Sequence, residues 1–274
     1  MDYLSDCLFH GLYSLFGDQI VDCNRIWYMW EADPGVRAQL YGKGFTVTGL
    51  LSEDTTDRED IEKKIAKCYF DWVFYGSIHR SQTHLDLVLD SYPRNRIVAF
   101  DGEDHGMVRE IGIPYFKREL HGNDPDIFPI SFAIPGCKIR QSVPREKSQL
   151  FATVVPGNRD TYVFDIESEY YADYAASYFG RTQRKSGWDC LRHYEILASG
   201  CIPYFPELEL CPPRIMTTFP KAQVMESNRL PEAFRSDEYW DALESLFNYT
   251  QEHLTTTALA RSVLDTLKGL GFQM

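Results

Sequence analysis

The sequence predicts an α/β protein built as two parallel-sheet domains, and three observations carry that prediction. β-rich runs alternate with helical periodicity in the first half, as a strand over 71–75, a helix over 84–89 and a strand over 96–100. The two strands end in polar loops, G-S-I-H-R at 76–80 and D-G-E-D-H at 101–105, which a parallel sheet places together at its ligand-binding carboxyl edge. The same strand, loop and helix order recurs from residue 150 onward.

Taken in order, Leu4, Leu8, Leu12 and Leu15 recur at helical spacing and Gly17 stops that helix. Trp27, Tyr28 and Trp30 form an aromatic cluster that packs in the core or lines a cleft. A strand is expected over 45–51, and a helix over 57–67 with Ile61 and Ile65 inward. Pro125, Pro129, Pro135 and Pro144 punctuate 121–146, where a strand over 130–134 is expected and where the domain junction falls, giving domains 1–135 and 136–274. Then come a strand over 150–155, a loop at 156–160 and a helix near 168–177 that carries a tyrosine-rich, partly buried face. The stretch 178–205 follows, and the chain closes on helices marked by Trp240, Leu243, Leu246 and Phe247, then by Leu259, Val263, Leu264 and Leu267.

Composition bounds the function classes. The 274 residues are 44% hydrophobic, as in an ordinary globular protein of one large or two modest cores. A net charge of -12 argues against a nucleic-acid surface and makes local basic clusters informative. No apolar run is long enough for an integral membrane segment, and M-D-Y-L-S-D carries acids where a signal peptide carries Lys or Arg, so a cytoplasmic location is expected. The 7 cysteines lack CxxC spacing and are expected to be reduced and mostly buried. GxGxxG after a strand, GxxxxGK[ST], HExxH and GxSxG are all absent from the sequence.

The densest chemistry lies in 178–205, Y-F-G-R-T-Q-R-K-S-G-W-D-C-L-R-H-Y-E-I-L-A-S-G-C-I-P-Y-F. Lys185, Ser186 and Gly187 form a turn, Asp189 or Ser186 caps a helix over 190–199, Gly200 ends it, and 201–205 is a buried strand. A helix start presents free N–H groups to an anion, and Arg181, Arg184, Lys185 and Arg192 surround it. Glu195, further along the helix, either accepts the hydroxyls of a diol such as ribose or pairs with Arg192 or another surface cation on the helix.

Gly187, Glu195 and the run A-S-G-C-I-P at 198–203 resemble the nucleotide-sugar motif of GT-B glycosyltransferases, in which a Glu precedes an A-x-G-x-P turn. The wording is most similar to the exostosin-like family, over about residues 148–220; the first half is similar only in architecture. The resemblance implies two Rossmann-like domains facing a cleft, the first binding a glycan acceptor and the second a nucleotide sugar, with the last helix crossing back. It implies inverting transfer of a sugar from a UDP-sugar donor, UDP-xylose being the first to try, to a glycan hydroxyl. Glu195 would bind the donor ribose, Ser186 and Gly187 the diphosphate with Lys185 or Arg181, and Arg159 would be a second phosphate contact. Exostosin-like enzymes are usually anchored in Golgi membranes; this chain shows no anchor, so compartment and acceptor are not carried over.

Inverting transfer needs a base for the acceptor hydroxyl, and the acidic loop offers Glu103 first, then Asp104 and Asp101, with His79 and Arg80 toward the acceptor. Charge on the departing diphosphate would be held by Arg159, Arg181, Lys185 and the helix start, so neither a metal nor another cofactor is expected to be required. Asp124-Pro125-Asp126 matches the metal-binding D-x-D by letter but reads as a solvated loop. The alternatives are a non-catalytic nucleotide-sugar or glycan-binding protein of the same fold, or another sugar-nucleotide enzyme.

Overall fold

The computed structural model describes residues 1–30 and 40–272. The protein is α/β, with one parallel four-stranded sheet in sequential order and one parallel three-stranded sheet. In the first sheet β1 (Val73–Tyr75), β2 (Ile97–Asp101), β3 (Tyr115–Lys117) and β4 (Ile127–Pro129) run side by side, with Val73 opposite Ile97, Ala99 opposite Tyr115 and Tyr115 opposite Ile127. In the second, β5 (Gln149–Phe151) and β7 (Ile202–Tyr204) flank β6 (Ser177–Arg181), with Phe151 opposite Phe179 and Phe179 opposite Ile202.

The helices follow their sequence signals. Helix α1 (Tyr3–Phe16) is capped by Asp2, whose carboxylate accepts from the N–H groups of Leu4 and Ser5, and it ends at Gly17. A short turn, α2 (Trp27–Trp30), buries Tyr28, Met29 and Trp30 and leaves Trp27 partly exposed, so most of the aromatic cluster is core. Helices α3 (Ile61–Ala66) and α4 (Leu85–Ser91) flank β1 in sequence, and α3 is shorter than the predicted 57–67 because Asp60 is left-handed. Beyond β5 come α5 (Glu167–Ala175), α6 (Leu191–Ala198), α7 (Lys221–Ser227), α8 (Asp237–His253) and α9 (Thr256–Gly269). Ser236 and Thr255 cap the last two through their hydroxyls.

Four sequence expectations change. The 45–51 stretch forms turns rather than a strand: Thr46 has φ 77, and its N–H donates to Glu167 Oε1 instead of a strand neighbour. The strand expected over 130–134 lies earlier, at β4; Ile134 instead makes an isolated bridge to Thr255. β3, with Lys117 wholly buried, has no counterpart among the expected strands, and both connections flanking it lack a helix, so the alternation predicted for this half stops at β2. The cysteines are all free, but only Cys7 and Cys201 are buried, against the expected majority.

A single apolar cluster takes in Leu4 and Leu8 of α1, Val98 and Phe116 of the first sheet, Phe179 and Ile202 of the second, and Leu259 and Leu267 of α9. Helix α9 lies against α1, and Gly11 makes that approach close: a Cβ there would stand 2.0 Å from the Thr256 carbonyl oxygen. Beside it, His10 Nδ1 is 2.8 Å from Thr256 Oγ1.

Helix α1 also buries a carboxyl group. Asp6 accepts from the Tyr28 hydroxyl at 2.6 Å, its other oxygen has no partner among the described residues, and burial pushes its pKa up to about 7. An acid with a raised pKa takes up its proton more readily in the folded chain, so ionising it weakens the fold progressively as pH rises from about 4 to about 7. Asp6→Asn should therefore gain on the parent by roughly 2–4 kcal/mol between pH 4 and pH 8, read from urea midpoints. A difference that stays flat across that range would show that Asp6 is not the buried acid described.

Candidate functional site at the carboxyl edges of the two sheets

The carboxyl ends of β1 and β2 bring the 76–80 and 101–105 loops together, as the sequence grammar predicts, and the end of β3 adds a third segment that it did not. His79 Nε2 lies 2.9 Å from Asp101 Oδ2, though off the line a hydrogen bond needs, and its ring meets that of His105 edge-on with centroids 5.1 Å apart. Arg80 Nε donates to Glu103 Oε1 at 2.5 Å, which holds the Glu103 carboxyl below the usual carboxylate range. Asp101 is fully buried, with Lys117 Nζ 2.9 Å away, the Tyr115 hydroxyl donating at 2.7 Å and the Glu103 N–H at 2.9 Å. Asp104 is half exposed and is bound by Arg118 Nη2. Each acid nominated as base is thus tied to a cation.

Arg118 links this edge to the second sheet. It is buried over the Phe132 ring, 4.6 Å from its centroid, and donates to the Gly102 carbonyl at 3.0 Å, Glu119 Oε1 at 2.8 Å and the Asp189 carbonyl at 2.6 Å. Burial works against its charge, but Asp189, Glu119 and Asp104 outweigh that and raise its pKa. Glu119 Oε1 in turn accepts the Asp189 N–H at 3.0 Å. Gly187 closes onto the same carboxylates: a Cβ there would fall 2.7 Å from Asp104 Oδ1 and 2.7 Å from Glu119 Oε1.

On the second sheet, the basic residues gather around the start of α6. The helix has no side-chain cap: Asp189, nominated for that role, instead accepts from the Phe132 N–H at 2.7 Å and the Tyr194 hydroxyl at 3.0 Å, and burial raises its pKa to about 6. The His193 N–H turns back to the Cys190 carbonyl at 3.0 Å, so the pull of this helix start on an anion comes from its dipole and from the cations around it. Lys185 and Ser186 are exposed in the preceding turn, Arg181 leans on the Phe151 ring at 3.8 Å, and Arg184 on Trp188 at 5.2 Å. Arg192, in the first turn of α6, has its Nε unpartnered among the described residues and its guanidinium 5.5 Å from the Tyr162 ring centroid. Exposed Arg159 sits in the same 156–162 segment as Tyr162, which follows β5.

Glu195 is buried and engaged. Its Oε1 accepts from Thr46 Oγ1 at 2.5 Å and its Oε2 from the Tyr170 hydroxyl at 2.7 Å, so it does not form an ion pair with Arg192; burial raises its pKa. Thr46 also contacts the Tyr171 hydroxyl at 2.6 Å, which sets the 45–51 turns directly over the carboxylate. His193, not singled out in the sequence, is wholly buried: Nε2 reaches the Trp188 carbonyl at 2.9 Å and Nδ1 the Thr182 hydroxyl at 2.8 Å, bracing the turn against the end of β6. Burial lowers its pKa to about 4, so it is a neutral strut. Asp124 and Asp126 are exposed and form a local turn, Asp126 N–H donating to Asp124 Oδ1 at 2.9 Å.

Arg118, Glu119, Thr46 and His193 had no sequence signal beyond unusual neighbours, such as the charged run K-R-E at 117–119 after Tyr115 and Phe116. Among the described residues no cluster of three or more His, Cys, Asp or Glu side chains is disposed to hold a metal. A surface groove of about 420 Å³ between α7 and α8 shares no residue with either edge. Among the described residues no helix is long and apolar enough to cross a membrane.

No family model matches the sequence, no curated protein matches it, and no solved structure matches the fold.

Proposed function

We propose that the chain is a glycosyltransferase of the GT-B kind, exostosin-like, moving a sugar from a nucleotide diphosphate donor to a glycan hydroxyl with inversion. The observation that carries the reading is the basic, uncapped start of α6 on one parallel sheet, closed at Gly187 by the Asp104 and Glu119 carboxylates of the other. The diphosphate sits on the 185–187 turn and the N–H groups of α6, neutralised by Lys185, Arg181 and Arg192, with Arg159 as a second contact. As the bond to the sugar breaks, negative charge grows on that diphosphate, and the same cations stabilise it. A ribose diol reaching Glu195 takes the place of the Thr46 hydroxyl. The donor is a UDP-sugar, UDP-xylose being the first to test, and the acceptor lies over the first sheet's edge near His79 and Arg80.

One observation favours a second reading, a nucleotide-sugar-binding protein without turnover: Asp101, Glu103 and Asp104 are each paired with a cation. The binding half of the proposal is tested by calorimetry with UDP. Lys185→Ala should weaken UDP by roughly tenfold or more, as expected for removing a charged phosphate contact. Unchanged affinity would take Lys185 out of the site.

A further inference from the structure

We infer that His79, oriented by Asp101, is the group that takes the proton from the acceptor hydroxyl. This rests on the transferase reading above and supplies the base that reading needs.

The neighbouring carboxylates are already engaged. Glu103 is bound by Arg80, and the bond that lowers its pKa also weakens it as a base. Asp104 is bound by Arg118, and Asp101 is sealed from solvent beneath Lys117 and Tyr115. His79 differs in that its cation contact, to Arg109, is a long one of 3.4 Å rather than a short ion pair. It stands on the loop after β1 with its side chain 16% exposed, and burial lowers its pKa, which keeps it neutral and able to accept a proton at pH 7.

Asp101 is held by three donors, so it is a fixed carboxylate 2.9 Å from Nε2. With Nε2–H turned toward Asp101, the lone pair is on Nδ1, where it accepts a long hydrogen bond of 3.4 Å from Nε of exposed Arg109, the place the acceptor hydroxyl takes when it binds. A small rotation of the ring aligns Nε2–H with the carboxylate, and catalytic hydrogen bonds commonly tighten in this way when substrate binds. His105 joins this imidazole to the donor side, since it touches the His79 ring and follows Asp104, which meets the Gly187 turn. Asp101 acts here as a positioning residue, in the manner of the carboxylate that orients a catalytic histidine in hydrolytic triads.

The step balances without a further reactant. The acceptor oxygen forms its bond to C1 and gives its proton to His79 Nδ1, while the C1–oxygen bond to the diphosphate breaks and its electron pair leaves with the nucleotide. Asp101 offsets the imidazolium, and the basic turn holds the leaving group.

The experiment compares His79→Gln, His79→Ala and Glu103→Gln with the parent, using UDP for binding and whichever of UDP-xylose, UDP-glucose and UDP-galactose the parent consumes fastest for turnover. His79→Gln should keep UDP affinity within about twofold and lose roughly 100-fold to 10,000-fold in turnover. Added imidazole should restore part of the loss in His79→Ala, and Glu103→Gln should lose less than about tenfold. Asp101→Asn should move the acid limb of the rate profile to lower pH, because the Asp101 charge raises the pKa of His79 against the opposing influence of Arg109, His105 and Lys117, which face the same ring. Full turnover in His79→Gln, a large loss confined to Glu103→Gln, or an unmoved acid limb in a folded Asp101→Asn would each overturn the assignment. A parent that consumes no donor would overturn the transferase reading and this inference with it.

Discussion

Replacing Arg118 with Met should cost the fold about 3–5 kcal/mol, the usual consequence of removing one partner from a buried ion network. The size follows from what Arg118 leaves behind. Glu119 and Asp189 are both buried, Asp189 already carries a raised pKa of about 6, and the Arg118 charge is the main influence holding it down. Without that charge the Asp189 pKa rises further. A raised acid destabilises the folded chain as pH climbs through the shifted range, so the deficit of Arg118→Met should widen between pH 5 and pH 8. Denaturant titrations at the two pH values measure it; a deficit below about 1 kcal/mol, or one that shrinks with rising pH, would contradict the network as described.

Gly187→Val should damage both stability and donor binding. Its Cβ would fall 2.7 Å from carboxylate oxygens of both Asp104 and Glu119. Such contacts are cheap when a flexible side chain can swing aside, but Glu119 is held by Arg118 and by the Asp189 N–H, and Asp104 by Arg118. The turn itself must move, at about 1–3 kcal/mol by analogy with overpacked cores. Because Lys185 and Ser186 ride on that turn, UDP affinity should also fall by roughly tenfold or more, since a displacement of about 1 Å is enough to break charged contacts. Calorimetry on the folded variant separates the two effects. Native stability together with native UDP affinity would mean that the sheets do not meet at Gly187.

The contrast between these two sites shows what the sequence makes legible. The strand, turn, helix and strand of 177–204 follow from local signals: glycines at the turn and the helix end, an apolar run, and a cluster of arginines in an acidic chain. The polar ends of β1 and β2 were likewise readable as neighbours, because parallel strands must share an edge. Arg118 and Lys117 were not readable, since a charged residue ordinarily predicts exposure and only the assembled fold supplies the carboxylates that allow its burial. The 45–51 stretch misled for a related reason. Its alternating F-T-V-T suits a strand, but Glu167 and Glu195, far along the chain, bind Thr46 and draw it into a left-handed turn.

The central claim is that this chain breaks the bond between a sugar and a nucleotide diphosphate. Incubating it with UDP-xylose, UDP-glucose and UDP-galactose in the absence of acceptor, and following free UDP and free sugar, tests this most directly. The account predicts slow release of both from at least one donor, and release roughly tenfold slower or more in Lys185→Ala at donor levels near the parent's half-saturation. Tight binding of a donor that is recovered intact would contradict it and identify a binding protein instead.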